Sequence, residues 1–438
     1  MPGPPSRDRP AAVLHRLRTK AGRPGPADRV DRALRALRPA AGDVTDVQRT
    51  LRELTAAGLE RRLRTLQSPP GACVRLEDRD VVLLCSNDYL GLADHPRVRA
   101  GAIEAVERWG AGAGSSRLVS GGTELHERLE RELAELKGSE ACVLIGSGYL
   151  ANTGIIQALA GRGEVVLSDA LNHASIVDGC RLSRAETIVY HHADLDALAA
   201  GLKRAAGRPA LIVTDAVFSM DGDLAPLEGI VELAGRHGAR VMVDEAHATG
   251  VVGKRGRGLV AELGLEGEID MIVGTLGKAL GSYGAFACCS TQVMRFLVNR
   301  VRTLIFSTAL PPPALGAALA ALELLRSERE LVRTLHARAR TLREQLSEAG
   351  HAVAPGTMPI VPLVIGDPRV AVAVADAALA GGVFAQAIRP PTVPDGTSRL
   401  RLVATAAHEE DELRSAARVV AEAARAASAA VDPSARRA

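Results

Sequence analysis

Lys278 stands in the run Thr275-Leu276-Gly277-Lys278-Ala279-Leu280-Gly281, on a tight loop after an apolar stretch that ends at Gly274. An amine there can form an imine with an aldehyde, although most lysines in turns are simply solvated. Asp244 closes the apolar run Val241-Met242-Val243. In open α/β sheets, ligands bind beyond the carboxyl ends of strands, so this acid faces the binding crevice. It would serve equally as a helix N-cap. Glu245 follows it on the strand and points to the other face, so the two are not an acid–base pair. In Ile145-Gly146-Ser147-Gly148-Tyr149 a strand turns into a helix. The N–H groups of a helix start hold phosphate, yet the spacing is neither a P-loop nor a dinucleotide fingerprint. The glycine-rich stretch 110–122 reads as well as close backbone packing.

Three more segments put polar groups just past strand ends: Ser86-Asn87-Asp88-Tyr89-Leu90-Gly91, Asn172-His173-Ala174-Ser175 and Phe218-Ser219-Met220-Asp221-Gly222-Asp223. A single histidine such as His173 is more often structural than catalytic, and His95, His191 and His192 are left as structural. The combination carries more. An aldehyde cofactor with a phosphate and a ring nitrogen needs an amine, a carboxylate, a helix N-terminus and a flat group over its ring. Lys278, Asp244, Gly148–Tyr149 and His173 supply all four. At ~3 Å and an effective dielectric of about 20, a carboxylate attracts a protonated ring nitrogen by roughly 5 kcal/mol. That raises the nitrogen's pKa by several units and lets the ring withdraw electrons from a carbanion.

The elements that must position these residues alternate. Short apolar runs at Ala141–Ile145, Glu164–Ser168, Thr187–Tyr190, Ala210–Asp215, Arg240–Asp244, Asp270–Gly274 and Gly284–Cys289 are separated by helix-length amphipathic stretches such as Glu124–Lys137, Leu195–Ala205 and Leu227–His237. This predicts an α/β fold with a mostly parallel central sheet covered by helices. Residues 1–45, rich in Pro, Gly, Ala and Arg, read as a disordered tail with a short helix around 29–38. An N-terminal segment follows at 46–95, with a helical pattern over Val47–Arg64 and a strand at Val81–Cys85. A large unit spans 96–305. A smaller C-terminal α/β unit spans 306–430, with helical patterns over Ala314–Ala349, strands near Ile360–Ile365, Val383–Ile388 and Arg399–Val403, and a final helix from Glu409.

Composition narrows the function classes. The 438 residues are 47% hydrophobic but only 2% aromatic, and the net charge is +3. Residues 1–64 hold 15 Lys+Arg against 7 Asp+Glu, which leaves −5 on the rest. That body offers no general attraction for nucleic acid. Six scattered cysteines without a CxxC pattern read as reduced thiols in a cytoplasmic protein, without a zinc site or disulfide framework. No run of about 18 apolar residues is free of charges or turn signals, so no membrane span is expected.

The motifs taken together resemble the α-oxoamine synthases, within the fold-type I pyridoxal 5'-phosphate (PLP) transferases. The likeness runs from about Leu51 to Leu413 and rests on Ser86–Gly91, Ser147-Gly148-Tyr149, His173-Ala174-Ser175, Val217–Asp223, Asp244-Glu245-Ala246-His247 and Thr275–Lys278. The segment Ile388–Arg401 looks most like the members that join L-alanine to a pimeloyl thioester in biotin synthesis. The resemblance implies that Lys278 carries PLP covalently and then acts as a base, that Asp244 pairs with the ring nitrogen, and that His173 stacks on the ring. It implies that Ser219 and His247 lie near the ring oxygen, and that Gly148, Tyr149 and Thr275 hold the phosphate. It implies too that Arg401 grips the amino-acid carboxylate, and that Arg61, Asn87, His173 and Thr392 contact substrate. It further implies a decarboxylative condensation that releases coenzyme A or a carrier protein. A homodimer is implied as well, in which Phe306-Ser307-Thr308 reaches the neighbouring site. Two departures are Tyr149, where Phe is also usual, and Ala248, where glycine is commoner. A sister synthase using glycine or serine remains an alternative, as does a PLP-binding regulator without turnover, although the N-terminus is too short and Pro-rich for a helix-turn-helix.

Overall fold

The computed structural model describes residues 44–431. The tail expected at 1–45, with its short helix at 29–38, lies outside the described residues but for its last two positions.

Seven strands form the main sheet: β3 (Ala141–Ile145), β4 (Val165–Asp169), β5 (Glu186–Tyr190), β6 (Ala210–Asp215), β7 (Arg240–Asp244), β8 (Met271–Thr275) and β9 (Ala285–Cys289). Their order is β3-β9-β8-β7-β6-β4-β5, and only β9 runs antiparallel to its neighbours. The strands β6 and β9 are buried along their whole length. Their continuous apolar sequences are what a sheet covered on both faces requires. Helices Glu124–Lys137, Leu195–Ala205 and Leu227–His237 put leucines onto one face. Helices Gly148–Leu159, Ala174–Ser183 and Thr291–Arg300 cover the other. The expected mostly parallel α/β architecture is therefore present.

Two three-stranded sheets complete the fold. One joins β1 (Cys73–Leu76), β2 (Arg79–Leu83) and β11 (Val383–Phe384); the other joins β10 (Ile360–Gly366), β13 (Ser398–Val403) and β12 (Gln386–Ile388) in the order β10-β13-β12. The helix expected over Val47–Arg64 is shorter, spanning Val44–Ala56. Gly58, at φ +67°, turns the chain out of it and. The segment 314–349 divides into helices Pro312–Ser327 and Leu331–Glu348. Leu315, Leu322, Leu325 and Leu335 from these helices join the main core. A second core lies beneath β10 and β13, where Leu342, Leu346, Leu400 and Leu402 pack with Val420 of the last helix. At about 25 cal/mol per Å² of apolar surface, each such buried leucine contributes roughly 2 kcal/mol.

The sequence of strands matters for the site. The carboxyl ends of β4, β6, β7 and β8 all open on one edge, and β13 approaches that edge from the smaller sheet.

Candidate active site

Asp244 ends β7 and Asp215 ends β6, paired in register across the two strands. Asp244 is 5% exposed. Its Oδ2 accepts the Asn152 amide at 2.6 Å, and its Oδ1 accepts the Ala246 N–H at 2.8 Å. The second bond caps a turn at residues 246–251, not the helix that an N-cap reading requires. Glu245 does turn away: it takes the buried Lys137 ammonium at 2.6 Å and the Val260 N–H at 2.8 Å. That pair fixes the turn after β7 from behind.

Lys278 lies on the loop after β8, within electrostatic reach of Asp244, Asp215 and Arg401. Burial, reinforced by Arg401, lowers the basicity of its amine, while the two carboxylates oppose that effect and. His173 N-caps helix Ala174–Ser183, accepting the Ser175 N–H, and its own N–H goes to Asp215 Oδ2 at 2.9 Å. Burial, together with Lys278, lowers its pKa against the pull of Asp244. His247 is buried, and its Nδ1 meets the Tyr89 hydroxyl at 2.6 Å. Burial, Lys278, Arg401 and His173 hold it well below the usual imidazole range, so it stays neutral.

Arg401 comes from β13 and is 6% exposed. It donates from Nε to the Ser219 carbonyl, from one Nη to Asn87 Oδ1 at 3.0 Å and from the other to Tyr89 Oη at 3.2 Å. Its fork is thus held by three groups from two segments, 86–91 and the loop carrying Ser219, which fixes the orientation that a bidentate carboxylate contact needs.

Gly148 begins the helix Gly148–Leu159, which Ser147 caps by accepting the Leu150 N–H. The first N–H groups of a helix have no partner within it. A Cβ at Gly148 would stand 2.7 Å from Thr275 Cγ2. The Thr275 hydroxyl is buried and has no hydrogen-bond partner. An orphaned buried hydroxyl beside a bare helix start fits a phosphate. The Tyr149 ring turns outward, 46% exposed, and its hydroxyl bonds Asp178. This position offers its backbone to the cradle.

A cleft of about 390 Å³ adjoins these groups, lined by His173, Phe218, Ser219, Asp221, Thr392 and Val393 among others. Thr392 and Ser219 therefore share one cleft with His173. Arg61 does not join them. It is exposed and sits near Arg389, whose guanidinium is lowered by burial and by Arg61. Arg389 ties the 58–60 segment to the small sheet by donating to the Gly58 and Glu60 carbonyls.

Tyr89, Asn152 and Asp215 also belong to this cluster, though the sequence motifs alone do not single them out. The strand-end rule that selected Asp244 applies equally to Asp215. Tyr89 stands inside the Ser86–Gly91 motif and Asn152 three residues past Tyr149, but no spacing rule pairs them with Arg401 and Asp244.

Fold and site together define a fold-type I PLP-dependent transferase. Residues 79–420 match the family described as aminotransferase class I and II, and the chain belongs to it. Several curated relatives near half-identical to it carry the name 8-amino-7-oxononanoate synthase. That from Geobacter sulfurreducens is 52% identical over 375 residues, covering 85% of this chain and 96% of the relative. Among solved structures, serine palmitoyltransferase from S. paucimobilis with a bound PLP–myriocin aldimine superposes with a TM-score of 0.84 at 32% identity, covering 88% of this chain and 100% of the other. The 8-amino-7-oxononanoate synthase of Francisella tularensis superposes with a TM-score of 0.69 at 25% identity, covering 79% and 98%.

PLP fits the residues present. Lys278 offers a buried amine of lowered basicity, Asp244 a fixed carboxylate, and Gly148, Tyr149 and the orphaned Thr275 hydroxyl an anion cradle.

Proposed function

We propose that the chain condenses L-alanine with a pimeloyl thioester, of coenzyme A or a carrier protein, giving 8-amino-7-oxononanoate and CO₂ in biotin synthesis. The observation that carries this reading is that Thr392 and Val393, from the segment resembling alanine-using members, line the same cleft as His173 and Ser219. The relatives' shared name supports it.

Bound here, PLP supplies an electron sink for the pair left when the amino acid loses its Cα proton. Lys278 is the residue that anchors it, and the same amine then takes the Cα proton; its lowered basicity keeps a neutral, proton-accepting fraction and. Asp244, held by Asn152, would keep the ring nitrogen protonated. His173 would cover the ring face, and Ser219 and the neutral His247 would lie by the ring oxygen. Gly148, Tyr149 and Thr275 would hold the phosphate. Arg401 grips the alanine carboxylate, with Asn87 beside it. Thr392 meets the acyl partner, whereas Arg61 lies outside this cleft and takes no part in the reading. In this division the 96–305 unit holds the cofactor and the 306–430 unit brings substrate.

We propose further that the chain works as a homodimer in the cytoplasm. Phe306 is 71% and Val119 79% exposed, and an isolated bridge between Ser116 and Thr308 places their segments together. Apolar groups of this size gathered on one surface favour a partner. Among the described residues no helix is long and apolar enough to cross a membrane, and the six cysteines are free.

Substrate profiling tests the reading. Alanine with pimeloyl thioester gives the highest kcat/KM; a preference for serine or glycine overturns it. A serine-using sister is the second reading, favoured by the higher TM-score of the serine palmitoyltransferase.

A further inference from the structure

We propose that His192 is a positioning residue for amino-acid binding: it clamps the 217–224 loop, so that the Ser219 carbonyl holds the Arg401 guanidinium where the substrate carboxylate must meet it. The inference rests on Arg401 being the carboxylate-binding group.

The loop is a tight reversal. Val217 and Leu224 form a bridge, the Phe218 N–H meets the Asp223 carbonyl at 3.0 Å, and the Gly222 N–H meets the Phe218 carbonyl at 2.8 Å. Gly222 lies at φ +74°, and a Cβ there would stand 2.8 Å from the Ile360 carbonyl. Only glycine satisfies both demands. The acids on either side of it are anchored in different directions. Asp221 pairs with Arg399, a buried neighbour of Arg401 on β13. Asp223 takes His192 Nε2 at 2.7 Å.

His192 is held from its other side as well. Its Nδ1 meets Asp169 Oδ1 at 3.0 Å, and Asp169 is a buried residue that ends β4. Asp169 Oδ2 also takes the Ala193 N–H at 2.8 Å, which fixes the backbone next to His192. The imidazole stands edge-on to the Phe218 ring, with centroids 4.3 Å apart and planes at 87°. Two carboxylates hydrogen-bonded to one ring push its pKa up to about 10, so it bridges them as a cation. His192 therefore grips the loop at Asp223 and at Phe218. The next residue, Ser219, carries the carbonyl that receives Arg401 Nε. Loosening the loop removes one of the three anchors of that fork and leaves those from Asn87 and Tyr89.

A purely structural histidine would lower stability and disturb both substrates alike. The clamp predicts a selective effect. The test uses His192→Asn, which keeps a donor near Asp169 but does not reach Asp223, and Asp223→Ala as an independent cut at the same contact. Alanine affinity is read from the visible absorbance of the PLP-loaded protein, KM is measured for each substrate, and amide exchange at residues 218 and 222 is followed in cofactor-free protein. Each variant weakens alanine binding about tenfold, leaves the thioester KM unchanged and speeds exchange of both amides. The double variant is no worse than either single one. Unchanged alanine affinity in both variants, or an equal loss for both substrates, overturns the clamp. Arg401→Lys measured alongside separates the two claims. If it binds alanine normally, the carboxylate assignment fails; if it alone is weakened, the clamp fails.

Discussion

Asp215 and Asp244 face each other in register at the ends of neighbouring parallel strands, yet their oxygens are engaged differently. Asp244 receives the side-chain amide of Asn152, whereas Asp215 receives the backbone N–H of His173. Burial and the charge of Asp244 push the Asp215 carboxyl well above the usual carboxylate range. Asp244 is thus the acid held by a side-chain amide, and Asp215 the one that holds His173 in place. Asp244→Asn lowers kcat by about 10²–10³-fold, the scale of losing one preorganised electrostatic contact. Asp215→Asn keeps an acceptor for the His173 N–H and costs less than tenfold by the same scale of a single neutral hydrogen bond. Steady-state kinetics on both variants check the asymmetry.

Thr275→Val changes sign with the cofactor. The buried Thr275 hydroxyl has no partner, and leaving such a group unsatisfied costs about 1–3 kcal/mol. Cofactor-free Thr275→Val protein therefore melts higher than cofactor-free wild type. The PLP-loaded variant melts lower than loaded wild type, because it lacks a phosphate donor. Paired Tm measurements show whether the two differences have opposite signs.

Arg401→Lys keeps the charge and loses the fork. A charge-assisted hydrogen bond is worth about 1.5–3 kcal/mol, so KM for alanine rises about 10- to 100-fold. The Tm should move little in comparison, and the thioester KM stays within about twofold by the additivity of separate contacts.

His192 gives the fold a pH signature. Its pKa is pushed from the ordinary 6.5 up to about 10 by the hydrogen bonds it donates to Asp169 and Asp223. A raised pKa stabilises fully below the unfolded value and loses that contribution as pH climbs through the folded one. The Tm gap between wild type and His192→Asn is therefore widest below pH 6.5 and closes on the way to about pH 10. A gap that widens with rising pH would contradict the ion bridge.

Much of the large sheet is legible in the sequence. The runs 141–145, 210–215 and 240–244 are strands with those bounds, because fully buried parallel strands are uninterrupted apolar segments and. Asp244 and Lys278 follow from strand-end position and loop placement. Three things could not be read. The antiparallel sense of β9, inserted between β3 and β8, depends on pairings that periodicity does not carry. The Arg401 anchors at Tyr89 and Asn87 lie more than 300 residues away along the chain. His192 shows its two acid partners only when β4 and the 217–224 loop are side by side.

The most direct test of the account is reduction of the PLP-loaded protein with borohydride followed by peptide mass mapping. The chain holds five lysines: Lys20, Lys137, Lys203, Lys254 and Lys278. The account predicts the pyridoxyl mass on the peptide containing Lys278, and no label in Lys278→Ala protein. A label on any other lysine of the wild type, or full labelling of the variant, contradicts it.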